Sequence, residues 1–204
     1  MKLKIFAIFT TFLTACSVQA KPLVIYFSQP EKVEINNIDA YSGASAILKE
    51  NTILGATEYL AKEIQKHTGA DLFRIETVQN YPIDTHQNLL DFAQEEQRKG
   101  IKPALKAKPD LSGYDTVFVG FPIWWYQMPM PLYSFFEPND FSGKKVVLFV
   151  AHGGSRFSGA TQVIRKMQPN AEVIEGFEAY LYKTTRADSG VEKRLENWLN
   201  TLGK

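Results

Sequence analysis

Short apolar runs alternate along the chain with segments that have helical periodicity. The runs are Leu23–Phe27, Asp71–Ile75, Thr116–Gly120 and Val146–Ala151, with a weaker fifth run around Ala179–Tyr182. Apolar runs of this length are typical of strands that are buried on both faces of a parallel sheet. The pattern predicts an α/β fold with a doubly wound sheet of five parallel strands.

Amphipathic segments between these runs predict four helices, because their apolar residues recur at helical spacing. Gly69, Gly100 and Pro169 follow three of the segments and are stop signals. The predicted helices are Thr57–Lys66, a helix from Asp84 or Thr85 to Arg98, Ala160–Met167, and a last helix that Asp188 or Ser189 caps and that runs to Leu202.

An irregular segment separates the first strand from the first helix. Residues 29 to 54 lie where a helix would normally follow a strand at once. Within this segment, AILKENTIL has two short apolar runs around Lys49, Glu50 and Asn51. The segment is therefore predicted to be an insertion that contains a β-hairpin, and not a second domain.

In a doubly wound sheet of order 2-1-3-4-5, ligands bind beyond the carboxyl ends of strands 1, 3 and 4. Ser28 ends the first strand, and Gly55-Ala56-Thr57 opens the helix that follows the insertion. Small residues at a helix start expose backbone N–H groups, which favour an anion such as phosphate. The simpler interpretation is that Thr57 only caps the helix, and Thr57 taken alone favours that interpretation.

The loop after the third strand reads PIWWYQMPMP, from Pro122 to Pro131, and is unusually apolar. Its prolines restrict the backbone, so Ile123, Trp124, Trp125 and Tyr126 would be held in a nearly fixed arrangement that suits a flat ring. The alternative is that the two tryptophans are core residues. Neighbours in an extended chain point to opposite sides, so at most one tryptophan is expected to face a ligand.

The loop after the fourth strand reads Ala151-His152-Gly153-Gly154-Ser155. Two glycines permit close approach of the backbone to a ligand, so the loop amides suit the polar edge of a ring. His152 is the candidate catalytic residue, because an imidazole can stabilise negative charge. A plain hydrogen bond within the loop is the favoured role for this histidine.

The two segments that flank the insertion resemble the two halves of the flavodoxin signature. Its defined positions are filled by Val24, Ile25, Tyr26, Ser28, Gly55, Thr57, Ala61 and Ile64. Two departures are visible: residues 29 to 54 number 26 where the signature has two, and Ala56 stands where many relatives have Asn. The likeness extends through both later loops and covers residues 22 to 202.

The resemblance implies a flavodoxin-like fold, FMN as the cofactor, and a division of the site into three parts. Ser28, Gly55, Ala56 and Thr57 would hold the phosphate, Pro122, Ile123, Trp124, Trp125 and Tyr126 would flank the ring, and His152, Gly153, Gly154 and Ser155 would bind its pyrimidine edge. The protein is then expected to be an oxidoreductase that reduces a small organic acceptor of the quinone or nitro type. The alternative is an electron-transfer protein with a redox partner protein.

Charge and residue composition exclude several other classes. Without Lys2 and Lys4, 21 basic side chains face 22 acidic ones, so no basic field attracts nucleic acid and no acidic field steers a cationic partner. The His-Gly-Gly loop also resembles that of secreted hydrolases, but no G-x-S-x-G motif accompanies it. The three histidines lack metal-ligand spacing, so no metal site is predicted.

The first twenty residues predict export. Lys2 and Lys4 precede the apolar run IFAIFTTFLTA, and Val18-Gln19-Ala20 resembles a cleavage site, so residues 1–20 are predicted to be a signal peptide before a domain of residues 21–204. Leu13-Thr14-Ala15-Cys16 also resembles a lipobox, in which Cys16 carries a lipid anchor. The two interpretations are equally favoured, and both place the protein in a bacterial periplasm.

Overall fold

A five-stranded parallel sheet with helices on both faces forms the centre of the fold. The computed structural model describes residues 20–34, 36, 46–181 and 186–202. Its elements are β1 (Leu23–Tyr26), β2 (Ala46–Lys49), β3 (Thr52–Gly55), α1 (Ala56–Thr68), β4 (Asp71–Arg74), α2 (His86–Lys99), β5 (Thr116–Pro122), α3 (Met130–Phe136), β6 (Lys145–His152), α4 (Ala160–Met167), β7 (Glu172–Tyr180) and α5 (Ser189–Leu202).

The strand order of the main sheet is β4-β1-β5-β6-β7, and every neighbouring pair is parallel. Counted within this sheet alone, the order is 2-1-3-4-5, so the predicted fold class is confirmed. The carboxyl ends of β1, β5 and β6 therefore lie side by side at one edge, where the winding reverses.

Alternate side chains of each central strand enter two separate cores. Ile25, Val119 and Leu148 pack with α2, α3 and α4 on one face, whereas Val24 and Val147 pack with α1 and α5 on the other. The period of two along each strand places successive side chains on opposite faces. Both faces are covered, which is why the central strands have continuous apolar runs.

The predicted helix ends are largely confirmed by backbone geometry. Gly69 and Gly100 follow α1 and α2 in the left-handed conformation, with φ of 67° and 64°. The Thr85 side chain accepts a hydrogen bond from the Asn88 amide at 3.1 Å and so caps α2. The Asp188 carboxylate accepts a hydrogen bond from the Gly190 amide at 2.7 Å at the start of α5.

Two elements differ from the predictions. The fifth strand, expected around Ala179–Tyr182, is β7 at Glu172–Tyr180, and residue 182 lies outside the described residues. β7 is an edge strand in which buried and exposed residues mostly alternate, so it has no continuous apolar run. The short apolar helix α3 was not predicted at all, because seven residues carry too little periodicity.

The predicted hairpin is present and joins distant parts of the chain. β2 and β3 pair in antiparallel fashion through a turn at residues 50 and 51. On its outer edge, the Ala187 amide donates to the Leu48 carbonyl at 2.9 Å. Lys49 pairs with Glu63 of α1 and, at 3.0 Å, with Glu192 of α5. The hairpin therefore contacts both helices of one face.

Some predictions fall on parts of the chain that the structure does not describe. The apolar run of the signal peptide and Cys16 lie within residues 1–19, outside the described residues. Among the helices that are described, none has the length and apolar character that a membrane crossing requires.

Candidate functional site

The predicted loops after β5 and β6 meet at the carboxyl edge of the sheet and, together with α2, enclose a cleft of about 470 Å³. Ser28 and Gly55–Thr57, the predicted residues of the first loop, do not line this cleft. A volume of this size lies within the usual range for small-molecule sites. The cleft is lined by His86, Leu89, Leu90, Pro122, Ile123, Trp124, Trp125, Tyr126, Ala151, His152, Gly153, Gly154 and Ser155. The loops after β5 and β6 thus face each other, as predicted, across a cavity whose third wall is α2.

The start of α1, Gly55–Thr57, is an open helix N-terminus that we call the α1 entry. Gly55 is the N-cap residue in an extended conformation, with φ of −68° and ψ of 148°, and it offers no side-chain cap. Thr57 lies inside the helix, so the interpretation of Thr57 as the cap is wrong. Its side chain is 1% exposed, and the Oγ1 atom has no hydrogen-bond partner among the described residues.

A buried hydroxyl without a partner is costly unless a ligand satisfies it. The first N–H groups of a helix likewise have no partner within the helix, and they carry a partial positive charge. Both features are present within the α1 entry. They fit an anion with several oxygen atoms, such as a phosphate group.

Ser28 packs directly against the α1 entry. Its side chain is buried, and a Cβ atom placed on Gly55 would lie 2.0 Å from the Ser28 Oγ atom. Residue 55 must therefore be a glycine for the serine hydroxyl to occupy this place. Ala56 is also buried, so it presents its backbone and no polar side chain to the entry.

The same three residue types begin α4, as Gly159-Ala160-Thr161, and provide an internal comparison. The Thr161 hydroxyl is also buried without a partner among the described residues. Gly159, however, is helical, with φ of −88° and ψ of 0°, and the Ala160 amide donates to the Phe157 carbonyl at 3.1 Å. The α4 start is therefore closed by its own preceding turn, whereas the extended Gly55 leaves the α1 entry open.

Arg74 and Glu58 set the charge near the α1 entry. The Arg74 guanidinium donates to the Ser28 carbonyl at 3.0 Å and lies 3.7 Å from the Glu58 carboxylate. Burial, together with the Glu58 charge, raises the pKa of Tyr26 above its ordinary value. Positive and negative side chains nearly balance here, so amides and hydroxyls would provide most of the attraction for an anion.

The loop after β5 forms a tight turn at Trp124–Gln127, which we call the aromatic turn. Trp124 and Gln127 exchange two backbone hydrogen bonds of 3.0 Å, and Trp125 and Tyr126 have φ of 50° and 61°. Positive φ at both central positions is the geometry of a type I′ turn. The expectation of an extended chain is wrong for these residues.

The two tryptophans nevertheless divide between core and cleft. Trp124 is 8% exposed and packs its ring edge-on against Phe27, with ring centroids 5.6 Å apart, and beside Tyr81. Trp125 is 39% exposed, and its indole N–H donates to the Leu90 carbonyl at 3.0 Å. Trp124 is thus the core residue of the pair, and Trp125 is the more accessible one.

Pro122 and Ile123 hold the aromatic turn against the neighbouring strand. Pro122 was predicted to lie in the loop, but it is the last residue of β5 and is in register with Ala151. The Ile123 amide donates to the Ala151 carbonyl at 3.1 Å. The strand ladder therefore continues to the base of the turn and fixes its distance from the loop after β6.

His152, predicted to lie in the loop, is the last residue of β6, and its imidazole holds the loop Gly153–Ser155 that follows. The His152 side chain is 3% exposed, its Nδ1 atom accepts a hydrogen bond from the Gly154 amide at 2.9 Å, and its Nε2 atom contacts the Glu178 carboxylate. Both ring nitrogens are therefore engaged by the protein. This geometry fits the loop-supporting role. Because both nitrogens of His152 are engaged, this histidine is not available to a serine, as the hydrolase alternative would require.

The α2 wall, which contributes His86, Leu89 and Leu90 to the cleft, is not among the predicted parts of the site. Leu89 is buried in the core, while Leu90 is only partly buried. Two adjacent leucines give a helix a wider apolar face than its inward stripe requires. The adjacent leucines are therefore the sequence feature from which this wall could have been predicted.

A second cavity, of about 670 Å³, lies at the opposite edge of the sheet. It is lined in part by Lys21, Thr116 and Lys145, which precede or begin β1, β5 and β6. Ligands of doubly wound sheets bind at the carboxyl edge, so we assign the functional site to the smaller cleft. No group of three or more metal-ligating side chains occurs within the described part of the chain.

Comparison with known proteins agrees with this architecture. The family model described as Flavodoxin matches residues 47–202. No curated protein matches the chain at a significant level.

Several solved structures resemble the chain along nearly its whole length. A predicted flavoprotein from Bacteroides eggerthii is 28% identical, with a TM-score of 0.65 over 91% of this chain and 99% of that one. A predicted flavoprotein from Bacteroides uniformis is 24% identical, with a TM-score of 0.64 over 89% and 99% of the two chains. A flavoprotein from Lactobacillus acidophilus, solved in complex with FMN, is 17% identical, with a TM-score of 0.55 over 88% and 99%.

Proposed function

The chain belongs to the flavodoxin family, and on this premise we propose that it is an FMN-dependent oxidoreductase. Its acceptor would be a small organic molecule of the quinone or nitro type, reduced outside the cytoplasm. FMN is the cofactor that the family supports, and the similar flavoprotein from Lactobacillus acidophilus was solved with FMN. When bound, FMN supplies the redox chemistry, and the protein binds, orients and shields it.

The observation that carries this proposal is the buried, unpartnered Thr57 hydroxyl at the open α1 entry. An FMN phosphate would satisfy this hydroxyl, the helix N–H groups and Ser28 together. The cleft between the loops after β5 and β6 has room and a suitable lining for a flat ring. The Gly153 amide would bind the polar edge of that ring, and Trp125 and Tyr126 would cover its apolar parts, while the Gly154 amide is used by the His152 ring.

An acceptor of small size is favoured by the surface around the cleft. Trp125 and Tyr126 are 39% and 75% exposed, so the cleft has flat apolar surface that suits aromatic molecules. An electron-transfer protein would instead benefit from a charged field that steers its partner. The predicted mature chain has a formal charge near −1, which provides little steering. A redox partner protein is the second candidate acceptor.

The phosphate assignment is tested by a matched pair of variants, Thr57→Val and Thr161→Val. Each replaces a buried, unpartnered hydroxyl with a methyl group, but only Thr57 lies at the open entry. A hydrogen bond to a charged group contributes about 1.5–3 kcal/mol, so Thr57→Val should weaken FMN binding at least about tenfold. Thr161→Val should leave the FMN dissociation constant unchanged.

FMN fluorescence quenching, read with the chain from Lys21 onward, measures these constants. Loss of a hydroxyl without a partner should not destabilise the FMN-free protein, so urea unfolding of both variants serves as the folding control. Equal affinity of Thr57→Val and the unchanged protein would refute the assignment of Thr57 to the phosphate. A protein that neither quenches FMN nor gains thermal stability from it would refute the proposed function.

The two candidate functions, enzyme and electron carrier, are distinguished by which acceptor oxidises the reduced protein. The FMN-loaded protein is reduced by light and then mixed with benzoquinone, with a nitroaromatic compound, or with a one-electron carrier protein. Rapid, saturable oxidation by the small molecules supports the enzyme, whereas rapid oxidation only by the carrier protein supports the electron-transfer alternative.

We also propose export to a bacterial periplasm, on the basis of residues 1–20 alone. The intact mass of the protein isolated from cells tests this proposal and its two forms. A chain that begins at Lys21 indicates a cleaved signal peptide, and a diacylated chain that begins at Cys16 indicates a lipid anchor. A chain that retains Met1-Lys2 and remains in the cytoplasm contradicts both forms.

A further inference from the structure

A buried carboxylate lies against an imidazole at the edge of the cleft. The Glu31 Oε1 atom is 2.6 Å from the His86 Nδ1 atom, and Glu31 is 7% exposed. The His86 side chain is 33% exposed and lines the same cleft as the aromatic turn. This pair has no role in the proposed binding of FMN.

The fold holds the two side chains in place from separate elements. Glu31 follows Ser28 by three residues, at the start of the insertion, and the next residue, Lys32, donates its amide to the Ile83 carbonyl at 2.8 Å. His86 begins α2, directly after the Thr85 cap. The inserted segment is therefore fastened to the loop before α2, and this contact brings Glu31 to His86.

A carboxylate beside one nitrogen of an imidazole fixes the orientation of the ring. It accepts the Nδ1 proton, and it stabilises the imidazolium that carries a second proton on Nε2. A buried carboxylate is costly to retain without such a partner. The arrangement is suited to hold and transfer a proton at Nε2.

The other histidine of the cleft differs from His86 in exposure. The His152 side chain is 3% exposed and supports its own loop, whereas the His86 side chain is 33% exposed on the α2 wall. The reduction of a quinone requires protons as well as electrons. A residue that donates a proton must be accessible to the acceptor, and the exposure of His86 meets this condition.

We propose that His86 donates a proton to the acceptor and that Glu31 positions the His86 ring. This proposal rests on the proposed function. Reduced FMN, when bound, would supply the two electrons and one proton that a quinone takes up as a hydride. His86 Nε2 would give the second proton to the anionic oxygen of the quinone, which completes the hydroquinone, and the imidazole would regain its proton from water. The insertion thereby supplies a part of the site that a two-residue loop could not.

The test uses His86→Gln and Glu31→Gln, with His67→Gln as the matched control. His67 is an exposed histidine in the last turn of α1 and does not line the cleft. Each light-reduced, FMN-loaded protein is oxidised with benzoquinone, which needs protons, and with ferricyanide, which takes one electron and no proton. His86→Gln should slow oxidation by benzoquinone about 100-fold and leave oxidation by ferricyanide unchanged.

Glu31→Gln should slow the benzoquinone reaction by about tenfold, because the ring keeps a hydrogen-bond partner but loses the charge that stabilises the imidazolium. His67→Gln should change neither reaction. A readout independent of turnover is the ¹⁵N NMR signal of the His86 Nδ1–H group, with and without FMN. This signal should show a strong hydrogen bond that weakens in Glu31→Gln.

The outcomes separate this proposal from the proposed function. Equal slowing with both acceptors, an unchanged benzoquinone rate in His86→Gln, or a proton absent from Nδ1 would each overturn the proposal while FMN binding stands. Failure of the unchanged protein to bind FMN would overturn the proposed function and this proposal together.

Discussion

The aromatic turn stores backbone strain, and Tyr126 allows that strain to be measured. Tyr126 has φ of 61° and is 75% exposed, so its side chain contributes little packing. A left-handed conformation costs an L-residue other than glycine about 1–2 kcal/mol, whereas glycine loses about 0.5–1 kcal/mol more chain entropy than alanine on folding. Tyr126→Gly should therefore be about 1 kcal/mol more stable than Tyr126→Ala. For a chain of this length, that corresponds to about 2–4 °C in Tm.

The comparison of glycine with alanine removes the effect of the lost ring, which both variants share. A second pair, Tyr180→Ala and Tyr180→Gly, makes the same changes at an exposed tyrosine that ends β7 and lacks a positive φ. There the order should invert, with glycine less stable by about 0.5–1 kcal/mol. Urea unfolding of the FMN-free proteins measures both differences. If Tyr126→Gly is no more stable than Tyr126→Ala, the left-handed turn is not the solution structure.

Two further predictions concern the sheet and a buried carboxyl group. Gly120→Ala should destabilise the protein by about 1–3 kcal/mol in urea unfolding, because its Cβ atom would lie 2.0 Å from the Phe149 ring. Adding Phe149→Leu to the same chain should recover part of this loss. If the free-energy losses of the two substitutions simply add, the clash is contradicted. Burial raises the pKa of Glu96 against the opposing hydrogen bond from Tyr81, so the folded protein keeps this proton to a higher pH than the unfolded chain. The free energy of unfolding should therefore fall as the pH rises above about 4.3. In Glu96→Gln this fall should be smaller, and this variant should be more stable than the unchanged protein at pH 7. If the free energy of unfolding depends on pH in the same way in both proteins, the reasoning is refuted.

The central strands were predictable because a strand that is buried on both faces consists almost entirely of apolar residues. β1, β5 and β6 are read as apolar runs for this reason, and the hairpin was found from the polar residues between β2 and β3. The fifth strand was predicted around Ala179–Tyr182 and so overlaps only the end of β7, because an edge strand exposes alternate residues and carries a weaker apolar signal.

The candidate site was predictable as a set of loops but not in its internal geometry. The loops after β5 and β6 could be placed by topology alone, since parallel strands end at the same edge. The turn at Trp125 and Tyr126 was not, because bulky residues seldom adopt positive φ. Glu31 and His86 are 55 positions apart, and their pairing leaves no periodic pattern in the sequence.

The hairpin makes completion of the site a late event in folding. Lys49 and Glu192 are 143 positions apart, and the β2 edge is closed by the segment that precedes α5. Contacts between such distant residues form slowly, since a long loop must close before they yield any stabilisation. β3 runs directly into α1, so the helix start that would receive the phosphate is braced only after nearly the whole chain has been synthesised. A chain that is still attached to the ribosome would thus lack a complete cofactor site.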